Sequence, residues 1–150
     1  MIEVEVSIQT KQSPYEVFEF WGDHSNNPKW QKGQRSCVWT SDPPIGIGST
    51  YDQEAAMLGR PIISSFECVE FEPGAMIRMK TTKSTMPLDI TRAVSPGPSG
   101  GTTLNAIIRG EPTGFMRMLN PLMKRMVERN VNKDYQRLKE LLDADADVDA

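Results

Sequence analysis

The sequence predicts an α+β domain in which a curved antiparallel sheet of six to seven strands wraps around a long C-terminal helix. Three observations carry this. From residue 35 to residue 111 the chain reads as short strand-like runs separated by turn signals, with no helical period between them. From residue 113 the apolar spacing becomes helical and holds to residue 142. The length of 150 residues suits one domain, which at that size buries roughly two-thirds of its unfolded surface.

The elements follow in order. Ile2, Val4, Val6 and Ile8 alternate with Glu3, Glu5, Ser7 and Gln9, the period of a strand with one buried face. Ser13 and Pro14 then open a helix, the serine as cap and the proline at a first position where no donor is lost. Gly22-Asp23 ends it, and His24 to Trp30 reads as a second short helix or turn. Breaks at Asp42-Pro43-Pro44 with Gly46, at Gly59-Arg60-Pro61, at Glu72-Pro73-Gly74, at Lys83-Ser84-Thr85 and at Ser95 to Gly101 divide the following strands. These strands form an antiparallel meander, and the absence of βαβ units excludes a parallel nucleotide-binding sheet. Alternation fails between Phe66 and Phe71, where a bulge is expected. Phe115, Leu119, Leu122, Met126, Tyr135, Leu138 and Leu142 mark one face of the last helix, with a kink or break expected at Pro121 and Asn120 able to cap its second part. The expected domain is 1–142, and 143–150 is an acidic tail expected to be disordered.

Composition narrows the function. Apolar residues make up 38% and charged residues 25%, as in an ordinary folded protein. A net charge of −3 offers no basic field, so nucleic acid is not an expected partner. Cys37 and Cys68 are expected as free, apolar core thiols, although a cross-strand disulfide stays open. No signal-peptide pattern opens the chain, and no run approaches the ~20 apolar residues of a membrane span. A cytoplasmic location is expected.

Nine methionines point to an adaptable surface between helix and sheet, since Met suits guests of varied shape and also fills irregular gaps in a solid core. Strand parity then assigns inward faces. Tyr51, Gln53, Ala55 and Met57 oppose Asp52 and Glu54; Ile77, Met79 and Thr81 oppose Arg78 and Lys80; Leu88, Ile90, Arg92 and Val94 oppose Asp89 and Thr91; Leu104, Ala106 and Ile108 oppose Thr103, Asn105 and Arg109. The candidate ligand contacts are Tyr51, Gln53, Met57, Ile77, Met79, Thr81, Ile90, Arg92, Ala106, Met116, Leu119 and Met123. Tyr51 either places its hydroxyl at the rim or turns it inward. Arg92 either snorkels past the Pro/Gly turn, pairs with a glutamate, or points inward, and an inward arginine requires a carboxylate or an anionic ligand beside it.

Three segments carry a family resemblance: Ser13-Pro14-Tyr15-Glu16-Val17-Phe18-Glu19-Phe20 with Asp23, Asn27-Pro28 and Trp30; Val69-Glu70-Phe71-Glu72-Pro73-Gly74; and Gly100-Gly101-Thr102 followed by Gly114-Phe115 and Leu119-Asn120-Pro121-Leu122-Met123, with Asp134, Leu138 and Lys139 later. In order and spacing, over roughly residues 2–142, the chain resembles the polyketide cyclase/dehydrase and lipid-transport superfamily (START-like, helix-grip or SRPBCC proteins). The resemblance implies the helix-grip fold and a hydrophobic cavity. It does not choose among that superfamily's lipid carriers, hormone receptors and aromatic cyclases.

Signals for chemistry are weak. His24, the sole histidine, lies between the two short helices, a position that suits a cavity mouth, and is expected first as an exposed turn residue. One His and two scattered Cys give no metal-ligand spacing, no GxSxG marks a nucleophile, and no GxxxxGK[ST] marks a phosphate loop, so neither metal nor cofactor is expected. The first reading is binding or carriage of an apolar or amphipathic small molecule, lipid-like or polyketide-like. The second is a polyketide aromatase/cyclase or dehydratase, with Arg92 and Tyr51, and Gln53 beside them, polarising a carbonyl. The third is a protein-interaction module or a homodimer.

Overall fold

The computed structural model describes residues 1–57, 59–111 and 120–149, the side chains of 57, 120 and 147–149 excepted. Its elements are β1 (Ile2–Thr10), α1 (Pro14–Trp21), a 3-10 helix (His24–Lys29), β2 (Gln34–Trp39), β3 (Thr50–Met57), β4 (Arg60–Glu72), β5 (Met76–Lys83), β6 (Leu88–Pro96), β7 (Thr102–Gly110) and α2 (Asn120–Asp149). Thr113, Gly114, Phe115, Met116, Met118 and Leu119, and the side chain of Met57, lie outside the described residues.

The seven strands form one antiparallel sheet in the order β1-β7-β6-β5-β4-β3-β2. Strands β2 to β7 are a plain meander. The two short helices carry the chain from β1 to the far edge, so the last strand returns beside the first, with Ile2 opposite Gly110 and Thr10 opposite Thr102. The curled sheet and the long helix make the α+β helix-grip architecture.

Local signals place most of this. Ile2, Val4 and Val6 are buried and Glu3, Glu5 and Ser7 exposed, and each such aliphatic side chain contributes about 1.5–3 kcal/mol on burial. The Ser13 side chain accepts from the Glu16 N–H (3.4 Å), and α1 buries Val17, Phe18 and Trp21. The bulge expected in the Phe66–Phe71 run lies in β4 as a register shift between Cys68 and Glu70, with a second between Ser65 and Phe66. On the outer face Arg78 grips Asp89 through Nε (2.9 Å) and Nη2 (2.7 Å) and Glu70 through Nη1 (2.8 Å).

Two clusters fill the interior. One joins Ile2, Val4, Val6, Leu104 and Ala106 to Val17, Trp21 and Trp30 and to Met123, Tyr135, Leu138 and Leu142 of α2. The other joins Phe18 and Cys37 to Tyr51, Phe66, Cys68, Ile77 and Met79. Both cysteines are free and buried. Among the described residues, no helix is long and apolar enough to cross a membrane.

The described part of α2 starts at Asn120, with Pro121 next to it, and the segment before it, on which the expected kink or break depends, lies outside the described residues. Two local expectations change. The helix runs on to Asp149, through the acidic segment expected to fray. It is pinned there to the β1–α1 connection: the Lys11 N–H donates to Asp143 Oδ1 (2.9 Å), and Gln12 Nε2 donates to the Leu142 carbonyl (2.8 Å). His24 is not exposed but fully buried, under Tyr51 and Trp39, with ring centroids 5.2 and 6.5 Å away.

Nδ1 of His24 faces the Gly22 carbonyl at 3.2 Å. A carbonyl only accepts, so Nδ1 carries the proton of the neutral ring and Nε2 is left bare. Burial first, and the Arg92 charge second, hold its pKa well below the usual histidine value. The unfolded chain therefore takes up a proton, below its ordinary pKa, that the folded chain refuses. The stability this neutral ring allows is complete above about pH 6.5 and is lost as pH falls below it, at up to about 1.4 kcal/mol per pH unit. Urea unfolding at pH 7.5 and 5.5 should show a loss of about 1 kcal/mol on acidification that His24→Phe lacks; equal losses in both proteins would refute this account.

Gly101 has φ +69°, and a Cβ there would lie 2.1 Å from the Thr10 carbonyl oxygen, whereas at Gly100 (φ +88°) a Cβ meets nothing within 4 Å. Gly100→Ala should cost about 1–2 kcal/mol, the ordinary left-handed penalty. Gly101→Ala should cost clearly more, read as the difference between their urea midpoints.

Candidate functional site

A cavity of about 670 Å³ lies between α2 and the inner face of the sheet, within the range of small-molecule sites. Alternate residues of the strands form its floor: Gln53 and Ala55 from β3, Ile62 and Ser64 from β4, Leu88, Ile90 and Arg92 from β6, and Ile108 from β7. Val127, Asn130, Val131 and Tyr135 of α2 roof it, one helical turn apart, and Asn27, Trp30 and residues 31–34 form a side wall. That wall is tied to α2. The Lys32 N–H donates to Asp134 Oδ1 (3.3 Å), and Arg137 donates through Nε to the Trp30 carbonyl (3.2 Å) and through Nη2 to Asp134.

Arg92 is the chief polar feature of the wall. It is 1% exposed. Nη1 donates to the Trp21 carbonyl (2.8 Å) and to Asn27 Oδ1 (3.0 Å), and Cζ lies 5.7 and 5.3 Å from the ring centres of Trp21 and Trp30. Stacking on indoles and hydrogen bonds to a charged donor, about 1.5–3 kcal/mol each, offset part of the cost of burying the guanidinium. Neither snorkelling nor pairing with a glutamate, two of the arrangements expected for Arg92, occurs. The Nε–H has no partner, nor have the indole N–H groups of Trp21 and Trp30.

Around it, burial disfavours the charged forms of several acidic groups. Burial pushes the Cys37 thiol up to about 12, with Arg92 opposing. Burial likewise raises Tyr51 and Tyr135. It also raises Asp134, against the Lys32 N–H and Arg137, which pull it down. A thiol held protonated is a poor nucleophile. Among the described residues, no group of His, Cys, Asp and Glu could hold a metal ion.

Of the residues singled out from sequence, Gln53, Ile90 and Arg92 line the cavity together. Tyr51 does not. It is fully buried beneath the wall, stacked on Phe66 at 4.7 Å with its hydroxyl unpartnered, so it is neither at the rim nor in the cavity. Ile77 and Met79 are packed in the second core cluster, and Ala106 and Met123 in the first. The Thr81 hydroxyl bonds the backbone of Leu88 (3.0 Å from its N–H). Met116, Leu119 and the side chain of Met57 are outside the described residues. Met86 lines the cavity instead of Met79.

Asn27, Trp30, Gln34, Val127, Val131 and Tyr135 were not among the predicted contacts. The helical repeat of Val127, Val131 and Tyr135 was available as a signal. The side-wall residues come from a connection, where no period reports a face.

The chain matches the family described as polyketide cyclase/dehydrase and lipid transport over residues 1–143. No curated protein matches it. Among solved structures it is similar to TTHA0849 from Thermus thermophilus (18% identity, TM-score 0.78, covering 92% of this chain and 94% of that one). A START superfamily protein from Mycobacterium smegmatis is similar too (12%, TM-score 0.77, 95% and 97%). So is the di-domain ARO/CYC StfQ from the steffimycin biosynthetic pathway (13%, TM-score 0.74, 97% of this chain and 51% of that one). Identities this low speak for the fold alone. With the family match over nearly its whole length, and a helix-grip sheet closed over a cavity, the chain belongs to the polyketide cyclase/dehydrase and lipid-transport family.

Proposed function

We propose that the chain binds or carries an apolar or amphipathic small molecule in the space between the sheet and α2. The observation that carries this reading is the cavity itself: about 670 Å³, walled by Ala55, Ile62, Leu88, Ile90, Ile108, Val127 and Val131 together with polar side chains such as Gln53, Ser64, Arg92 and Asn130. A wall of both kinds suits an amphipathic guest. Residues 1–142 form the binding unit in this reading. The cytoplasm is its compartment, which two unpaired buried thiols support.

A second reading, a cyclase or dehydratase, draws on the ARO/CYC neighbours and on Arg92 in the wall. Its proposed partner Tyr51 is behind the wall, and His24 is held neutral away from the lining, so carriage is the better-supported reading. Turnover of a polyketide-type substrate that vanishes in Arg92→Ala would reverse this order.

Native mass spectrometry of the protein purified from its own host should show one small apolar molecule per chain. Ala55→Trp should fill the cavity and weaken binding of the neutral probe N-phenyl-1-naphthylamine at least tenfold, about 1.4 kcal/mol, with little change in Tm. No bound molecule together with no probe binding would overturn the proposal.

A further inference from the structure

The cavity wall carries a sign that the whole chain does not. The chain's formal charge is −3. The charged side chains lining the cavity, however, are Lys32, Arg92, Lys133 and Arg137 against Asp134 alone. Asp134 is already engaged by Arg137. The buried cation is Arg92, whose neighbouring acceptors are all neutral: the Trp21 carbonyl and Asn27 Oδ1, both on Nη1, and the Tyr135 hydroxyl beside the guanidinium. Among the described residues no carboxylate forms an ion pair with it.

Arg92 and Trp30 both border the cavity, and two of their buried donors, Arg92 Nε–H and Trp30 Nε1–H, make no hydrogen bond. A guanidinium keeps its proton, so burial cannot be relieved by neutralising it, and an uncompensated buried charge costs several kcal/mol. Water or a neutral carbonyl can accept a hydrogen bond but cannot supply the missing charge. A carboxylate supplies both, and each of its two oxygens can accept from an N–H.

We propose that the cavity is built for an apolar acid, its body against Ile62, Ile90, Ile108 and Val131 and its carboxylate accepting from Arg92 Nε and Trp30 Nε1. This rests on the ligand-binding reading above and narrows it to a chemical class. Alkyl and aromatic acids share the recognised group, so both are tested.

The experiment is displacement of N-phenyl-1-naphthylamine at pH 8 by decanoate and 2-naphthoate, each against its own amide, decanamide and 2-naphthamide. At least one acid should displace the probe tenfold more tightly than its amide. Which acid does so assigns the body as alkyl or aromatic. Arg92→Met should bring acid and amide within about twofold of each other, each referred to that variant's own affinity for the probe. Should that variant fail to fold, Trp30→Phe keeps the ring and removes the N–H, and should cut the acid preference two- to fivefold. Probe binding with no acid preference in the wild-type protein would overturn the inference and leave the carrier reading standing. A preference that survives Arg92→Met would overturn it too, assigning selectivity to Lys32 and Lys133 of the lining. Failure of the probe to bind at all would remove both readings.

Discussion

A single buried guanidinium organises this molecule. Arg92 reaches from the middle of β6 to the last carbonyl of α1 and to the Asn27 side chain of the 3-10 helix. Its cost of desolvation is offset only while both short helices stay over that strand. The same group depresses the basicity of His24 and opposes the rise of the Cys37 and Tyr51 pKa values. It thus ties both short helices to the inner wall, while burial sets the protonation of what lies behind it. Asp23 adds a second tie, capping the 3-10 helix through the Ser25 N–H (3.0 Å) and accepting from Trp39 Nε1 of β2 (2.7 Å).

Much of the architecture was legible in the sequence because the sheet is antiparallel and one of its faces is wet. Period-two alternation reports a face directly, and Asp52, Lys80 and Asn105 point outward as their charge or polarity requires. Turn chemistry set the strand ends, above all at Glu72-Pro73-Gly74 and at Ser95 to Gly101. The burial of His24 was not legible. A polar residue between two short helices reads as solvent-facing, and only the Trp39 and Tyr51 side chains arriving from β2 and β3 enclose it. The helical course of the acidic end of α2 was hidden for a related reason. Its support comes from Lys11 and Lys139, one of them distant in sequence, rather than from an apolar period of its own.

The site was less legible than the fold, for a geometric reason. Parity separates inside from outside but does not give depth. Ile77 and Met79 share the inner face with Ile90 and Arg92, yet the former pair meets Phe66 and Cys68 in solid packing while the latter borders empty volume. Depth depends on where the sheet curls and where α2 crosses it, and both are set by contacts far apart in the chain. Methionine content was a poor guide for the same reason. It marks adaptable packing, and Met79 and Met123 use that adaptability to fill core.

The pairing of β1 with β7 bears on how this chain reaches its native state. Residues 2 and 110 are neighbours across the ladder, so β1 finds its partner only across the whole intervening meander. Closing so long a loop is entropically late, and a topology rich in such distant pairings folds slowly for its size. Until that ladder zips, the Ile2, Val4 and Val6 face and the edge of β7 are both unsatisfied. The partly folded chain is then at its most aggregation-prone.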